Sequence, residues 1–166
     1  MLKAPRQQKP LQRESNAGFS LIELLIVVTI IGIIASIAIP NLLASRRAAN
    51  EGSAQQSIRT IASCEMTFLH TQGGGTTYAD LTTLGQQTLT DATLSSGNKS
   101  GYTFVVNVAG PPPQYWAYAV PTVTSGISAS GTRRFALSED GVLRVDSTLS
   151  APADEAAVRA MSPSGN

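Results

Sequence analysis

Cysteine and histidine are almost missing from these 166 residues: Cys64 and His70 stand alone. One cysteine allows no disulfide within the chain and no cysteine-based metal site. It is read as a small apolar residue on a helix, the alternative being a thiol kept for an intermolecular bond. His70 has no partner histidine or cysteine with which to hold a metal. A Cys–His nucleophile pair is disfavoured too, because six positions on one expected helix put the two side chains on different faces. A Gly-x-Ser-x-Gly elbow and a phosphate-binding loop are also lacking. Gly73-Gly74-Gly75 has no following Lys-Ser or Lys-Thr and reads as a flexible connector. Glu139, Asp140 and Asp146 are too few at ligand spacing for a calcium site, so a hairpin turn is the preferred reading. No catalytic, cofactor-binding or metal-ligating set is expected, and with it no enzyme. The nine aromatic residues fall mostly in expected strands, where core packing accounts for them.

Charge is scarce as well, at 14% of residues, and unevenly laid out. Residues 1–18 hold Lys3, Arg6, Lys9 and Arg13 against Glu14 alone, which leaves eight basic and ten acidic residues for the rest. The bulk of the chain therefore offers no basic surface for nucleic acid. The positive cluster precedes an apolar stretch, where it keeps that end of the chain cytoplasmic.

What the chain has in abundance is a hydrophobic run. Residues 19–39 contain one charge, Glu23. As a helix the run is about 31 Å long, the thickness of a bilayer's hydrocarbon core, and it is apolar on all sides. Three explanations compete. A secretory signal would be shorter and followed by small residues at a cleavage site, whereas Ile39-Pro40-Asn41-Leu42 follows here. A plain membrane anchor explains length and flanking charge but leaves Glu23 without a reason, at about 2.5–3.5 kcal/mol for a carboxylate at mid-membrane. An interfacial acid that snorkels to the headgroups is the bland form of that reading.

The third explanation starts from Gly18-Phe19-Ser20-Leu21-Ile22-Glu23. This segment resembles the prepilin peptidase site of type IV pilins and of type II secretion pseudopilins. The resemblance implies cleavage between Gly18 and Phe19, N-methylation of Phe19, and Glu23 as fifth residue of the mature chain. The carboxylate of one copy would then neutralise the Phe19 amine of the next as both enter an apolar filament core, since a buried pair is tolerable where either charge alone is not. Phe19 and Glu23 are thus the expected assembly residues. In that family a glycine and a proline occupy places like those of Gly32 and Pro40, and the stretch between them can lose helical order in the fibre. Read without the family, the two residues predict a kink or local loosening.

Beyond Pro40 the pattern turns amphipathic. A helix over 41–70 would put Ala54, Ile58, Ile61, Ala62, Phe68 and Leu69 on one face. Glu65 falls inside that face: either the stripe is narrower, or Glu65 pairs with a basic side chain of the head. Arg46 and Arg47 form a solvated face or pair between copies with an acid such as Glu51. A loop over 71–100 should carry short helices near 81–85 and 92–94. Strands follow at 102–108, 115–120, 134–138 and 142–146, with Asp140-Gly141 as a tight hairpin. The tail, 149–166, is rich in Ala, Pro and Ser and is expected to be loosely ordered.

The expected organisation is a basic leader (1–18, removed), a membrane and filament-core helix half (19–40) and an exported head (41–166) with strands in 101–148. The fold class is α+β: a long N-terminal helix on a small antiparallel sheet. Residues 96–106, 115–121 and 131–146 are similar to those of pilin-like proteins lacking a terminal disulfide loop. The resemblance implies a structural subunit of a type IV pilus, anchored in the bacterial inner membrane with its head periplasmic and then part of an extracellular fibre. Its implied partners are copies of itself, the prepilin peptidase and N-methyltransferase, the lipid bilayer, and the assembly platform with its ATPase. The alternatives are a major pseudopilin of type II secretion and, of a different class, a monomeric single-pass protein whose head binds a ligand or is enzymatic.

Overall fold

The computed structural model describes residues 18–165; the basic leader residues Lys3, Arg6, Lys9 and Arg13 lie outside them. The chain divides into two compact units, Met1–Ile39 and Pro40–Asn166. Helix α1, Leu21–Thr71, supplies the described part of the first unit except for a few leading residues, and continues into the second. It passes through Pro40, although an interior proline removes one backbone bond. The loosening expected between Gly32 and Pro40 is not a feature of this conformation, where every residue of that stretch is helical.

In the second unit α1 is followed by α2 (Leu81–Gln86) and α3 (Ala92–Ser95), then by a six-stranded antiparallel sheet in sequential order: β1 (Asn98–Lys99), β2 (Tyr102–Ala109), β3 (Gln114–Pro121), β4 (Arg134–Ser138), β5 (Arg144–Asp146) and β6 (Ser162–Pro163). Each short helix starts on an aspartate whose carboxylate accepts a first-turn amide: Asp80 from Thr83 at 2.7 Å and Asp91 from Leu94 at 2.8 Å. Strand β3 alternates as a half-buried strand should, with Tyr115, Ala117 and Ala119 turned to the core. Those residues join Ala54, Ile58, Ile61 and Phe68 of α1, Leu84, Leu94, Tyr102 and Phe135 in one cluster. The amphipathic half of α1 packs on the sheet as expected.

Three expectations need correction. The tail is ordered: Asp154 caps a fourth helix, α4 (Glu155–Arg159), and β6 pairs with β5. Val158 and Met161 are buried against Ala136, with Trp116 and Tyr118 beside them, so the tail covers the sheet face opposite α1. Both faces of β4 are therefore covered, which explains why all five of its residues are buried. The sheet has six strands rather than four because β1 and β6 extend its two edges. Asp140-Gly141 is not a two-residue hairpin, since the last β4–β5 pair is Ala136 with Arg144. Asp140 instead braces a wider loop, accepting from Ser138 Oγ, the Val142 amide and the Arg144 guanidinium.

The glycine run is a built turn. The Gly73 amide donates to Phe68 O at 2.8 Å and that of Gly75 to Leu69 O at 2.8 Å, closing the end of α1. A Cβ on Gly73 would lie 2.3 Å from Thr77 O, and Gly74 holds φ at +58°. Side chains are excluded by geometry here, whatever the connector's mobility.

Candidate assembly segment

The first described residues form a helix start. The Ser20 amide donates to Glu23 Oε2 at 3.0 Å, and the Leu24 amide to Ser20 O at 3.2 Å. Ser20 is thus the N-cap and Glu23 the third helical residue, so the carboxylate reaches back as in one half of a capping box. Its negative charge also sits at the positive end of the helix macrodipole. The sequence reading gave Glu23 only a partner outside the chain. Ser-x-x-Glu ahead of an apolar run was the signal for this second, internal role.

From Phe19 to Ile39 every large apolar side chain is at least half exposed, Phe19 reaching 90%. Soluble monomers rarely expose contiguous apolar patches beyond a few hundred Å². In the helical part of this stretch, Leu21 to Ile39, the two hydroxyls fold back on the helix, Thr29 Oγ1 donating to Leu25 O at 2.8 Å and Ser36 Oγ to Ile33 O at 2.7 Å. The span therefore offers an apolar surroundings no unmet hydroxyl donor, the condition for burial in lipid or in a protein core. Gly18 and Gly32 have open space where a Cβ would stand, so packing within this chain does not require glycine at either position.

The carboxylates of the head are bound by basic side chains or by backbone amides at helix starts. Glu51, expected as a partner for Arg46 or Arg47 of another copy, is buried and bound within the chain. Its oxygens accept from the Thr132 amide and hydroxyl, both at 2.8 Å, and from Arg133 Nη2 at 2.6 Å. Burial pushes its carboxyl up, and the bonds from Thr132 and Arg133 together outweigh that and hold it below the ordinary value. Arg134 pairs with Asp146, Arg144 with Asp140, and Arg159 with Glu139. The three acids considered for calcium are thus each held by an arginine. Among the described residues no three histidine, cysteine or acidic side chains converge as a metal site. Cys64 is buried, its thiol donating to Leu89 O at 2.8 Å, and burial raises its pKa. The thiol is therefore shielded from a second chain.

Glu65 is the exception. It is fully buried, and among the described residues no basic side chain pairs with it. Oε2 accepts the Ala79 amide at 3.0 Å, while Oε1 has no donor among the described residues. Burial above all, with Asp80 nearby, pushes its pKa up to about 7 against the pull of the Ala79 amide. The stripe is as wide as predicted, and the acid within it is kept by becoming neutral.

An exposed apolar helix opening on a cleavable-looking Gly-Phe junction, continued into a helix-on-antiparallel-sheet head, defines the pilin-like class. The family model described as the prokaryotic N-terminal methylation motif matches residues 13–39. Over 34 residues, 20% of this chain, the sequence is 65% identical to the type IV wide pilus major component PilA4 of Thermus thermophilus. Over 53 residues, 32% of this chain, it is 42% identical to the type IV major pilin protein PilA of Myxococcus xanthus. These matches span 26% and 24% of the two relatives, so the chain covers about a quarter of the curated proteins it matches. No solved structure matches it. The methylation motif over residues 13–39 and the likeness to these two pilus proteins support a type IV pilin-type assignment, carried by the N-terminal segment.

Proposed function

We propose that the chain is a structural subunit of a type IV pilus, cut by prepilin peptidase between Gly18 and Phe19, methylated on Phe19 and polymerised through residues 19–40. One observation carries the reading: an apolar helix surface, exposed from Phe19 onward, begins at the methylation motif. Before assembly lipid covers that surface; in the fibre, copies of the same helix do, while the heads form the wall. Cleavage puts an ammonium one residue ahead of the N-cap, at the positive end of the helix dipole, where it is unfavourable without a carboxylate beside it. Glu23 answers that charge in the next copy and fixes axial register between them. Released from the Ser20 amide it is free to do so. Gly32 and Pro40 supply the place where the helix loosens when the fibre is stretched. The inner-membrane platform and its ATPase extract the subunit, whose head is periplasmic. Two relatives named as pilus components favour a pilus over a secretion pseudopilus. The structure-building role leaves the head with no catalytic task.

Electron microscopy of sheared surface material and mass spectrometry of its N-terminus test the proposal. Long fibres whose subunits begin at methyl-Phe19 are expected. A chain confined to the envelope, whose deletion stops enzyme secretion, would establish the pseudopilin reading, and an intact Met1 in the mature protein the plain anchor. Glu23→Val should be inserted and cleaved but assemble poorly. Wild-type fibre yield from that variant would remove the role given to Glu23, and normal processing of a Gly18 variant with a bulky side chain would remove the cleavage site.

A further inference from the structure

The carboxylates of the head, Glu65 aside, are engaged in ion pairs or helix caps. Two exposed arginines of the head, Arg46 and Arg59, have no carboxylate partner among the described residues, and Arg46 is the one nearer in sequence to the apolar span. It lines a concavity of about 270 Å³ together with Leu43, Asn50, Ser100, Ile127 and Ser128. One wall is the loop 123–130, fastened to α1 by Arg47, which donates to Ala129 O and Gly126 O at 3.3 Å, and by Asn50 Nδ2, which donates to Ser130 O at 2.9 Å. Ser130 Oγ closes the loop on itself by accepting the Val123 amide at 3.1 Å. The loop so held presents Ile127 to solvent at 75% exposure, with Val123 also exposed. An isoleucine kept outward by three polar anchors beside an unneutralised arginine is a combination suited to a surface that is both apolar and anionic.

Resting on the reading of residues 19–39 as a membrane span, we propose that this concavity binds the headgroup phosphate of an anionic phospholipid in the outer leaflet of the membrane from which the subunit is assembled. Arg46 follows Ile39 by seven helical positions, about 10 Å of rise. Each polar layer of a bilayer is about 5–7 Å thick, and the arginine side chain spans the remainder whatever the angle between the two units. Two arginines directly after a span, on the side facing away from the cytoplasm, run against the usual distribution of positive charge. Arg47 is used up on loop carbonyls. Arg46 is given a counter-ion by the lipid, with the Asn50, Ser100 and Ser128 side chains as further polar neighbours and Ile127 entering the acyl boundary. The lipid holds the head at the surface before extraction and is released when the subunit leaves the bilayer.

The test uses the full mature chain in nanodiscs. An environment-sensitive fluorophore is placed on Ser125→Cys in a Cys64→Ser background, which keeps a donor for Leu89 O. Quenching by brominated lipid is followed as phosphatidylglycerol replaces phosphatidylcholine. Quenching should rise with phosphatidylglycerol, and in Arg46→Gln its midpoint should move to about fivefold more anionic lipid, the effect of one surface arginine. Ile127→Ser should lower the maximum quenching and leave that midpoint in place. Equal quenching in both lipids, or an unchanged midpoint in Arg46→Gln, overturns the proposal. So does abolition of the effect by millimolar inorganic phosphate, which would mark a site for soluble anions. So does an Arg46→Gln defect in fibre yield with lipid response intact, which would assign the cation to a neighbouring copy. Failure of the chain to insert at all refutes the membrane reading itself and is seen separately, as extraction by alkaline carbonate.

Discussion

Glu65 should make the head lose stability as pH rises through neutrality, against the trend its other carboxylates set. The group is fully buried, and its folded pKa is about 7 against an ordinary 4.5. Below pH 4.5 it is protonated in both states and costs nothing. Between 4.5 and 7 the unfolded chain releases the proton while the folded one keeps it, so each step up in pH favours unfolding. Above 7 the loss is complete, at about 3 kcal/mol for that pKa difference, a large part of a small domain's stability. Glu51, Asp140 and Asp146 have lowered pKa values, so their contribution is present above the ordinary carboxylate range and is lost only as pH falls below it. Tyr78, Tyr102, Tyr115 and Cys64 have raised values and act only in alkali. The interval from pH 5 to 8 is therefore left to Glu65. Denaturant unfolding of the detergent-solubilised chain, followed by Trp116 fluorescence, should show a fall of about 3 kcal/mol across it. Glu65→Gln, which keeps an acceptor for the Ala79 amide, should be flat. A flat wild type, or an unchanged slope in the variant, would refute the reasoning.

How this site escaped the sequence shows what a linear reading can carry. The apolar run, the Gly-Phe motif, the alternating strands β2 and β3 and the short strand β4 are local patterns, fixed by period and composition within a few residues, and they were legible. Glu65 was legible as a misfit but not in its resolution. Pairing with a cation was one expectation, whereas the structure answers with a backbone amide fourteen residues on, delivered by a glycine turn that composition alone marks as flexible. Asp140-Gly141 misled for a related reason: Arg144, four residues along, uses the carboxylate and widens the loop. The tail was misread because Ala, Pro and Ser dominate it. Its signal was weaker, an Asp154 cap followed by Val158 and Met161 at helical spacing, and only the uncovered face of β3 and β4 gives those residues something to bury against. Glu51 belongs with these: its partners are more than eighty residues away, and nothing local announces them.

The remaining predictions test those long-range contacts. Glu51→Ala leaves the Thr132 amide and the half-exposed Arg133 without their acceptor and should cost about 1–3 kcal/mol in the same unfolding assay, with no measurable loss assigning the cluster to the surface. Gly131→Ala would put a methyl 1.9 Å from Tyr102 Oη, whose hydroxyl donates to Arg133 O, and should cost about 1–3 kcal/mol by overpacking; unchanged stability would mean the ring is free to move. Ending the chain at residue 148 tests the ordered tail. It removes Val158 and Met161 from Ala136, Trp116 and Tyr118, together with the Arg159 that bridges Glu139 and Glu155, and it leaves β5 as an unpaired edge. Two buried side chains at about 1.5–3 kcal/mol each set the loss at about 3–6 kcal/mol. An exposed edge beside an apolar face is in addition a template for association. The shortened chain should therefore expose Trp116 to aqueous quenchers and aggregate through its head, whereas native fluorescence and a sharp unfolding transition would show that the tail rests on the sheet without supporting it.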